Sequence, residues 1–109
     1  MSRFKIGDVL AIAYFPNQEN KNEGTARYIL IIDVFDDGYC ILPLSCQTHQ
    51  ASNYKKTIFI GKASPLGVKM GLTCDSILII DRQIEIKKIV LKPPIMGNCG
   101  EEFLEDNNL

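Results

Sequence analysis

The sequence predicts a mainly β protein, a small antiparallel barrel with one or two short helices, the last at the C-terminus. Three observations carry that prediction. Apolar residues recur with period two rather than 3.6, the signature of strands. The strand-like runs are short and separated by turn residues, as in small barrels. The length of 109 residues suits one core and is short for two. Residues 1–109 therefore read as one domain, with a short acidic tail over 100–109. Apolar residues form 46% of the chain, an ordinary globular share that argues against disorder. No apolar run has the length of a membrane span.

The elements follow in order. Val9 to Phe15 reads as a strand apolar on both faces, and Ala26 to Phe35 as a second, rich in Ile and Tyr. Asp36-Asp37-Gly38 is a tight turn, since Gly tolerates positive φ. Tyr39 to Ser45 returns as the hairpin partner. Pro43 has no N–H, which predicts an edge strand or a bulge. Thr57 to Ile60 is a fourth strand and Ser76 to Asp81 a fifth. Gln83 to Ile86 is its continuation or a short sixth. Lys87 to Leu91 suggests a helical turn that Pro93-Pro94 stops. Glu101 to Asp106 suggests a terminal helix, with acids suited to its first turn. Two polar connections are long, Pro16 to Thr25 and Cys46 to Lys56, and loops of that length are often functional.

Charge narrows the partners. The chain holds 12 bases and 13 acids, net −1, which taken whole is not the balance of a strongly basic nucleic-acid binder. Four of the acids, Glu101, Glu102, Glu105 and Asp106, fall in the last ten residues. The first 99 residues thus carry 12 bases against 9 acids. The body is mildly basic.

The four cysteines are Cys40, Cys46, Cys74 and Cys99. Met1-Ser2-Arg3-Phe4 lacks an apolar signal core, and Cys40 and Cys46 lie in or beside apolar runs, where a free thiol behaves as a small hydrophobe. The expectation is a cytoplasmic protein with reduced thiols. Cys46 and His49 are a weak metal signal, with no CxxC pair and no second histidine. No metal and no cofactor is expected.

Familiar catalytic signatures are absent: no phosphate loop, no dinucleotide fingerprint, no GxSxG and no HExxH. Four spaced signals are present instead. Gly7-Asp8-Val9 opens the first strand and Glu23-Gly24-Thr25-Ala26-Arg27 enters the second. Leu44-Ser45-Cys46-Gln47 closes the third. Gly71-Leu72-Thr73-Cys74-Asp75-Ser76 enters the fifth. Together, from about Phe4 to Gly97, they resemble the PemK/MazF-type toxin endoribonucleases. The resemblance implies an SH3-like barrel, of the kind CcdB-type toxins share, that forms a homodimer. It implies metal-independent cleavage of single-stranded RNA, leaving a 2′,3′-cyclic phosphate and a 5′-hydroxyl. It also implies a cognate antitoxin protein that folds on binding.

By the same resemblance, Arg27 and Ser45 are the catalytic residues, with Gln47 completing a Ser-x-Gln motif. Pro16 matches the proline after the first strand, and residues 71 to 76 match a Gly-Leu-x-x-Asp-Ser segment. One departure is plain: the family's Arg-Pro is here Arg27-Tyr28. Proline fixes φ near about −65°, so the backbone that aims Arg27 differs. The family's C-terminal helix is also shortened.

The residue types suit the chemistry. A guanidinium is always charged and offers a planar fork of donors to phosphate. A hydroxyl can hold a non-bridging oxygen. Together they pre-organise charge stabilisation for attack by a 2′-OH. Unstacked bases would lie on aromatic groups, for which Tyr14, Tyr28, His49 and Tyr54 are candidates. Lys55 and Lys56 are the candidate substrate-binding cations, joined by Lys21 and Arg3. Each has a plainer reading. Arg27 could be a surface arginine paired with Glu23, and Ser45 a strand-end serine capping the next loop. His49 reads as a solvent-facing loop residue, and Lys55-Lys56 as a solvated pair. Asp75 and Ser76 read as structural, and Asp81 as a strand-end turn residue. The alternative function keeps the barrel without catalysis, binding nucleic acid or a protein target such as DNA gyrase.

Overall fold

The computed structural model describes residues 4–16, 24–87 and 95–109, with 12–16, 24–27 and 87 described through their backbone. The strands are β1 (Asp8–Pro16), β2 (Gly24–Val34), β3 (Gly38–Ser45), β4 (Thr57–Ile60), β5 (Ser76–Ile79), β6 (Ile84–Lys87) and β7 (Ile95–Asn98). The helices are α1 (Pro65–Met70) and α2 (Glu101–Asp106), with a 3-10 segment at Thr48–Asn53. All strand pairs are antiparallel, in the order β4-β5-β3-β2-β1-β7, and β6 also pairs with β3. The seven described strands form one sheet with β4 and β7 at its edges. The mainly β prediction holds. The closed barrel does not, because no described ladder joins those two edges.

β3 is central because it is apolar on both faces. Tyr39, Cys40, Ile41, Leu42 and Leu44 are each at most 2% exposed. Alternation along the strands divides the buried side chains between two clusters. Leu42 and Leu44 join Leu30, Leu78, Met70 and Leu104 in one. Tyr39 and Ile41 join Phe4, Leu10, Ile29 and Ile31 in the other, where the Phe4 and Tyr39 rings meet edge to face at 5.8 Å.

The β2–β3 hairpin forms, closed by the Phe35 N–H donating to the Gly38 carbonyl at 2.8 Å, but Gly38 does not take the positive φ expected of it and instead begins β3. Pro43 lies in this central strand, not at an edge, paired with Ile29 of β2. On its other side, β3 pairs with β6 up to Ile41 and with β5 from Leu44. Neither ladder includes Leu42 or Pro43, so a residue with no N–H sits where that pairing is interrupted. β5 and β6 are thus successive pieces along one side of β3, which answers the question left open for residues 83–86. β5 ends at Ile79, two residues short of the predicted Asp81.

Three elements were not predicted: the 3-10 segment, within the connection read as a loop, α1 and β7. In α1, the Ser64 hydroxyl accepts the Gly67 N–H, Pro65 occupies the first turn, and Gly71 caps the end in the left-handed conformation. β7 pairs with β1 through Asp8↔Asn98 and Val9↔Gly97. That contact explains Gly7-Asp8-Val9. Asp8 is 2% exposed, and its carboxylate accepts the Lys5 N–H and an Asn98 side-chain N–H, each at 2.9 Å. α2 forms as expected, with Glu101 and Glu102 in its first turn. The acidic tail is docked: Leu104 is buried in the first cluster while the four acids stay exposed. The predicted helical turn over 87–91 falls outside the described residues after Lys87, as do Arg3, Lys21 and Glu23.

Gly71 has φ 74°, and a Cβ there would stand 2.2 Å from the Met96 carbonyl oxygen. Gly71→Ala should therefore lower unfolding free energy by at least about 2 kcal/mol, read by denaturant titration. At Gly61 the nearest atom to an added Cβ is 3.8 Å away, and Gly61→Ala should change stability by less than about 0.5 kcal/mol.

Candidate functional site

The β2–β3 ladder runs to the pair Tyr28↔Leu44. Arg27 and Ser45 are the next residues along the two strands, so the backbone brings them to the same ladder end. Arg27 also pairs with Ile12 of β1, and Ser45 with Ile77 of β5. The Arg27 side chain lies outside the described atoms, as does that of Tyr14.

Ser45 is partly exposed, and its hydroxyl oxygen accepts the Gln47 N–H at 3.1 Å. This closes a tight turn around Cys46. A hydroxyl accepting that bond keeps its own hydrogen as a donor. Gln47 is exposed. The other wall of this end is the segment from Gly71 to Ser76. Tyr28 packs on the first core cluster, and its hydroxyl is hydrogen-bonded to that of Thr73.

Cys46 and Cys74 are joined in a disulfide, which corrects the expectation of four reduced thiols. The cause is strand pairing. Ser45↔Ile77 sets the end of β3 beside the start of β5, and the two Cα atoms stand 5.9 Å apart, within disulfide reach. Cys46 is exposed rather than core-like. In this bond its sulfur has no thiolate to offer a metal. Cys40 and Cys99 are free and buried, as an apolar setting requires. Burial pushes both thiols up, Cys99 to about 11.

The matched segment has structural duties throughout. Leu72 is 8% exposed in the first cluster. The Asp75 carboxylate accepts the Lys62 N–H at 3.0 Å. Ser76 is fully buried, and its hydroxyl donates to the Cys74 carbonyl at 3.0 Å. These roles are the ones expected for Asp75 and Ser76.

Lys55 and Lys56 are not grouped with Ser45. They precede β4 and lie beyond the other end of β5, where the Asp81 carboxylate accepts their N–H groups at 3.1 and 3.4 Å. The Lys56 carbonyl accepts the Ile80 N–H at 3.0 Å. Next to them the Arg82 guanidinium lies 5.6 Å from the Tyr54 ring centroid, a cation–π distance. Both lysine side chains are exposed, and so is His49 in the 3-10 segment. An open depression near the β2–β3 turn is lined by Val34, Phe35, Asp36, Asp37 and Glu85. Its three carboxylates suit a polyanion poorly.

Among the described residues no group of three or more His, Cys, Asp or Glu is placed to hold a metal, and no helix is long and apolar enough to cross a membrane. Neither a family model nor a curated protein matches the chain.

Desolvation pushes the Asp81 carboxyl up, but the N–H groups of Lys55, Lys56 and Asp81 itself, with the Arg82 charge, together outweigh it and hold its pKa below the ordinary value. A depressed folded pKa means the tie is present at neutral pH and lost as pH falls through that lowered value. The amide shifts of Lys55 and Lys56 should therefore titrate together, with a midpoint below the usual aspartate value of about 3.9. Asp81→Ala should abolish the transition in the same NMR titration.

Proposed function

We propose that this chain is the toxin of a type II toxin–antitoxin pair, a metal-independent endoribonuclease of the PemK/MazF type acting on single-stranded RNA. The observation that carries the reading is the end of the β2–β3 ladder. There the backbone of Arg27, inside β2, lies next to that of Ser45 at the end of β3, the two residues assigned to catalysis by resemblance, with Gln47 one turn away. An SH3-like arrangement, a homodimer, a cytoplasmic location and a protein antitoxin belong to the same proposal. The small antiparallel sheet supports the SH3-like part, and its open edges are the point of difference.

In this reading the 2′-oxygen of one ribose attacks the adjacent phosphorus. The new O–P bond closes the cyclic phosphate as the bond to the 5′-oxygen breaks. The 2′-OH loses a proton and the departing 5′-oxygen gains one. Arg27 would neutralise the two non-bridging oxygens with its donor fork. The Ser45 hydroxyl, oriented by the Gln47 N–H, would donate to one of them. Such pre-organised donors are the largest catalytic effect when charge develops on oxygen. Gln47 would read a base edge. Tyr28, whose hydroxyl is held by Thr73, would contact a base with the part of its ring left outside the core. Lys55 and Lys56 would meet phosphates further along the strand.

The purified chain, oxidised and in EDTA, should cut a mixed single-stranded RNA pool and leave 2′,3′-cyclic phosphate ends. Arg27→Ala and Ser45→Ala should each lower kcat by at least about 100-fold with an unchanged unfolding midpoint. Uncut RNA across the pool would overturn the nuclease reading. Inhibition of gyrase supercoiling would then favour the barrel without catalysis.

A further inference from the structure

We propose that the Cys46–Cys74 bond is a reversible thiol–disulfide site, opened by a dithiol reductant of the thioredoxin class, that clamps the Ser45–Gln47 turn to the loop before β5. Four observations carry it.

The bond joins two loops, not two strands. Cys46 follows β3 and Cys74 precedes β5. Its chemistry is confined to one place. Cys46 is exposed, while Cys40 and Cys99 are buried and bonded to no other sulfur. Thiolate attack needs access, which favours the Cys46 sulfur.

The strands do not need the bond. Leu44↔Leu78 and Ser45↔Ile77 pair β3 with β5 independently of it, and the Tyr28–Thr73 hydrogen bond holds the same loop from the other side. Opening the disulfide frees the turn and leaves the sheet. The reduced form also has a partner waiting. The Cys74 sulfur lies 3.6 Å from the Ser76 hydroxyl oxygen, whose hydrogen is donated to the Cys74 carbonyl. A Cys74 thiol can donate to that oxygen.

The exchange balances. A thiolate of the reductant attacks the Cys46 sulfur, the Cys46–Cys74 bond breaks, and Cys74 leaves as a thiolate that takes up a proton. The second thiol of the reductant attacks the mixed disulfide, releasing Cys46, which is protonated in turn. Two electrons and two protons pass to the protein, and the reductant departs as its own disulfide.

The consequence for RNA rests on the endoribonuclease reading. The clamp fixes the turn whose Gln47 N–H orients the Ser45 hydroxyl, and orienting a catalytic group raises rate. The oxidised form should be the faster nuclease.

The test uses the full chain in buffers of reduced and oxidised dithiothreitol. Alkylation and mass spectrometry on the native protein should show Cys46 and Cys74 appearing together and reversibly, with Cys40 and Cys99 protected. Hydrogen exchange should quicken on reduction in residues 45–50 and 72–75, and stay unchanged in β2 and the body of β3. Cys46→Ser and, separately, Cys74→Ala should show the reduced pattern in every buffer. Failure of the bond to form, or exchange that does not change, would overturn the proposal. RNA cleavage should fall at least about 10-fold on reduction in the parent and be redox-indifferent in both variants. Cleavage that ignores the redox state while the exchange pattern switches would overturn the link to catalysis. No cleavage in either state, with switching intact, would remove the nuclease reading and leave the redox site standing.

Discussion

β3 is the strand on which every other placement depends. It is buried on both faces and bonded on both sides, to β2 along one and to β6 and β5 along the other. Its large apolar side chains, Tyr39, Ile41, Leu42 and Leu44, each gain about 1.5–3 kcal/mol by leaving water. The disulfide closes a loop with a sequence separation of 28, which by chain entropy is worth about 3–4 kcal/mol. The burial on this strand alone exceeds the contribution of the bond. The ladder end that carries Ser45 is therefore set by core packing, and the covalent tie acts on the turn beyond it.

The charge distribution gains a geometry. Among the described residues the bases do not gather at one place. Lys55 and Lys56 sit with Arg82 and Tyr54 at one end of β5, and the Ser45 turn sits at the other. The acids of α2 remain exposed because only Leu104, and Phe103 in part, turn toward the core. A second group of acids lines the depression by the hairpin turn. A single strand meeting the first two regions in succession would contact few phosphates. That suits a short substrate better than a duplex, whose binding draws on many.

How much of this was legible depends on sequence distance. Alternating apolar residues revealed β1 to β4, the turn before Gly38 revealed the hairpin, and the acid-rich end revealed α2. α1 carried its own signal, Ser64-Pro65 at the start and Gly71 past the end, but six residues show too little periodicity to stand out. β7 had no such signal. It is four residues long with Gly97 inside, and it exists because β1 offers an edge. The disulfide was hidden for the same reason. Only the β3–β5 register, which nothing local announces, brings Cys46 to Cys74. At the candidate site the residue types were readable but not their neighbours. The tie of Lys55 and Lys56 to Asp81 and the bond from Tyr28 to Thr73 span 25 to 45 residues.

The structure also changes the weight of the resemblance. Most of its matched positions have a folding duty sufficient to explain them. Asp8 satisfies Lys5 and Asn98, Gly71 caps a helix against Met96, Leu72 fills the core, Asp75 holds Lys62, and Ser76 closes its own turn. A protein that needed only this sheet would use the same residues there, so these matches speak for the arrangement of the chain and not for chemistry. The Arg27 side chain lies outside the described atoms, Gln47 serves its turn through backbone bonds to Ser45 and Gln50, and Ser45 has the light duty of turning the chain around Cys46. Those three residues are what remains for the proposed chemistry. The one covalent bond between distant parts of the described chain lies directly beside them, where it constrains the turn that holds two of the three.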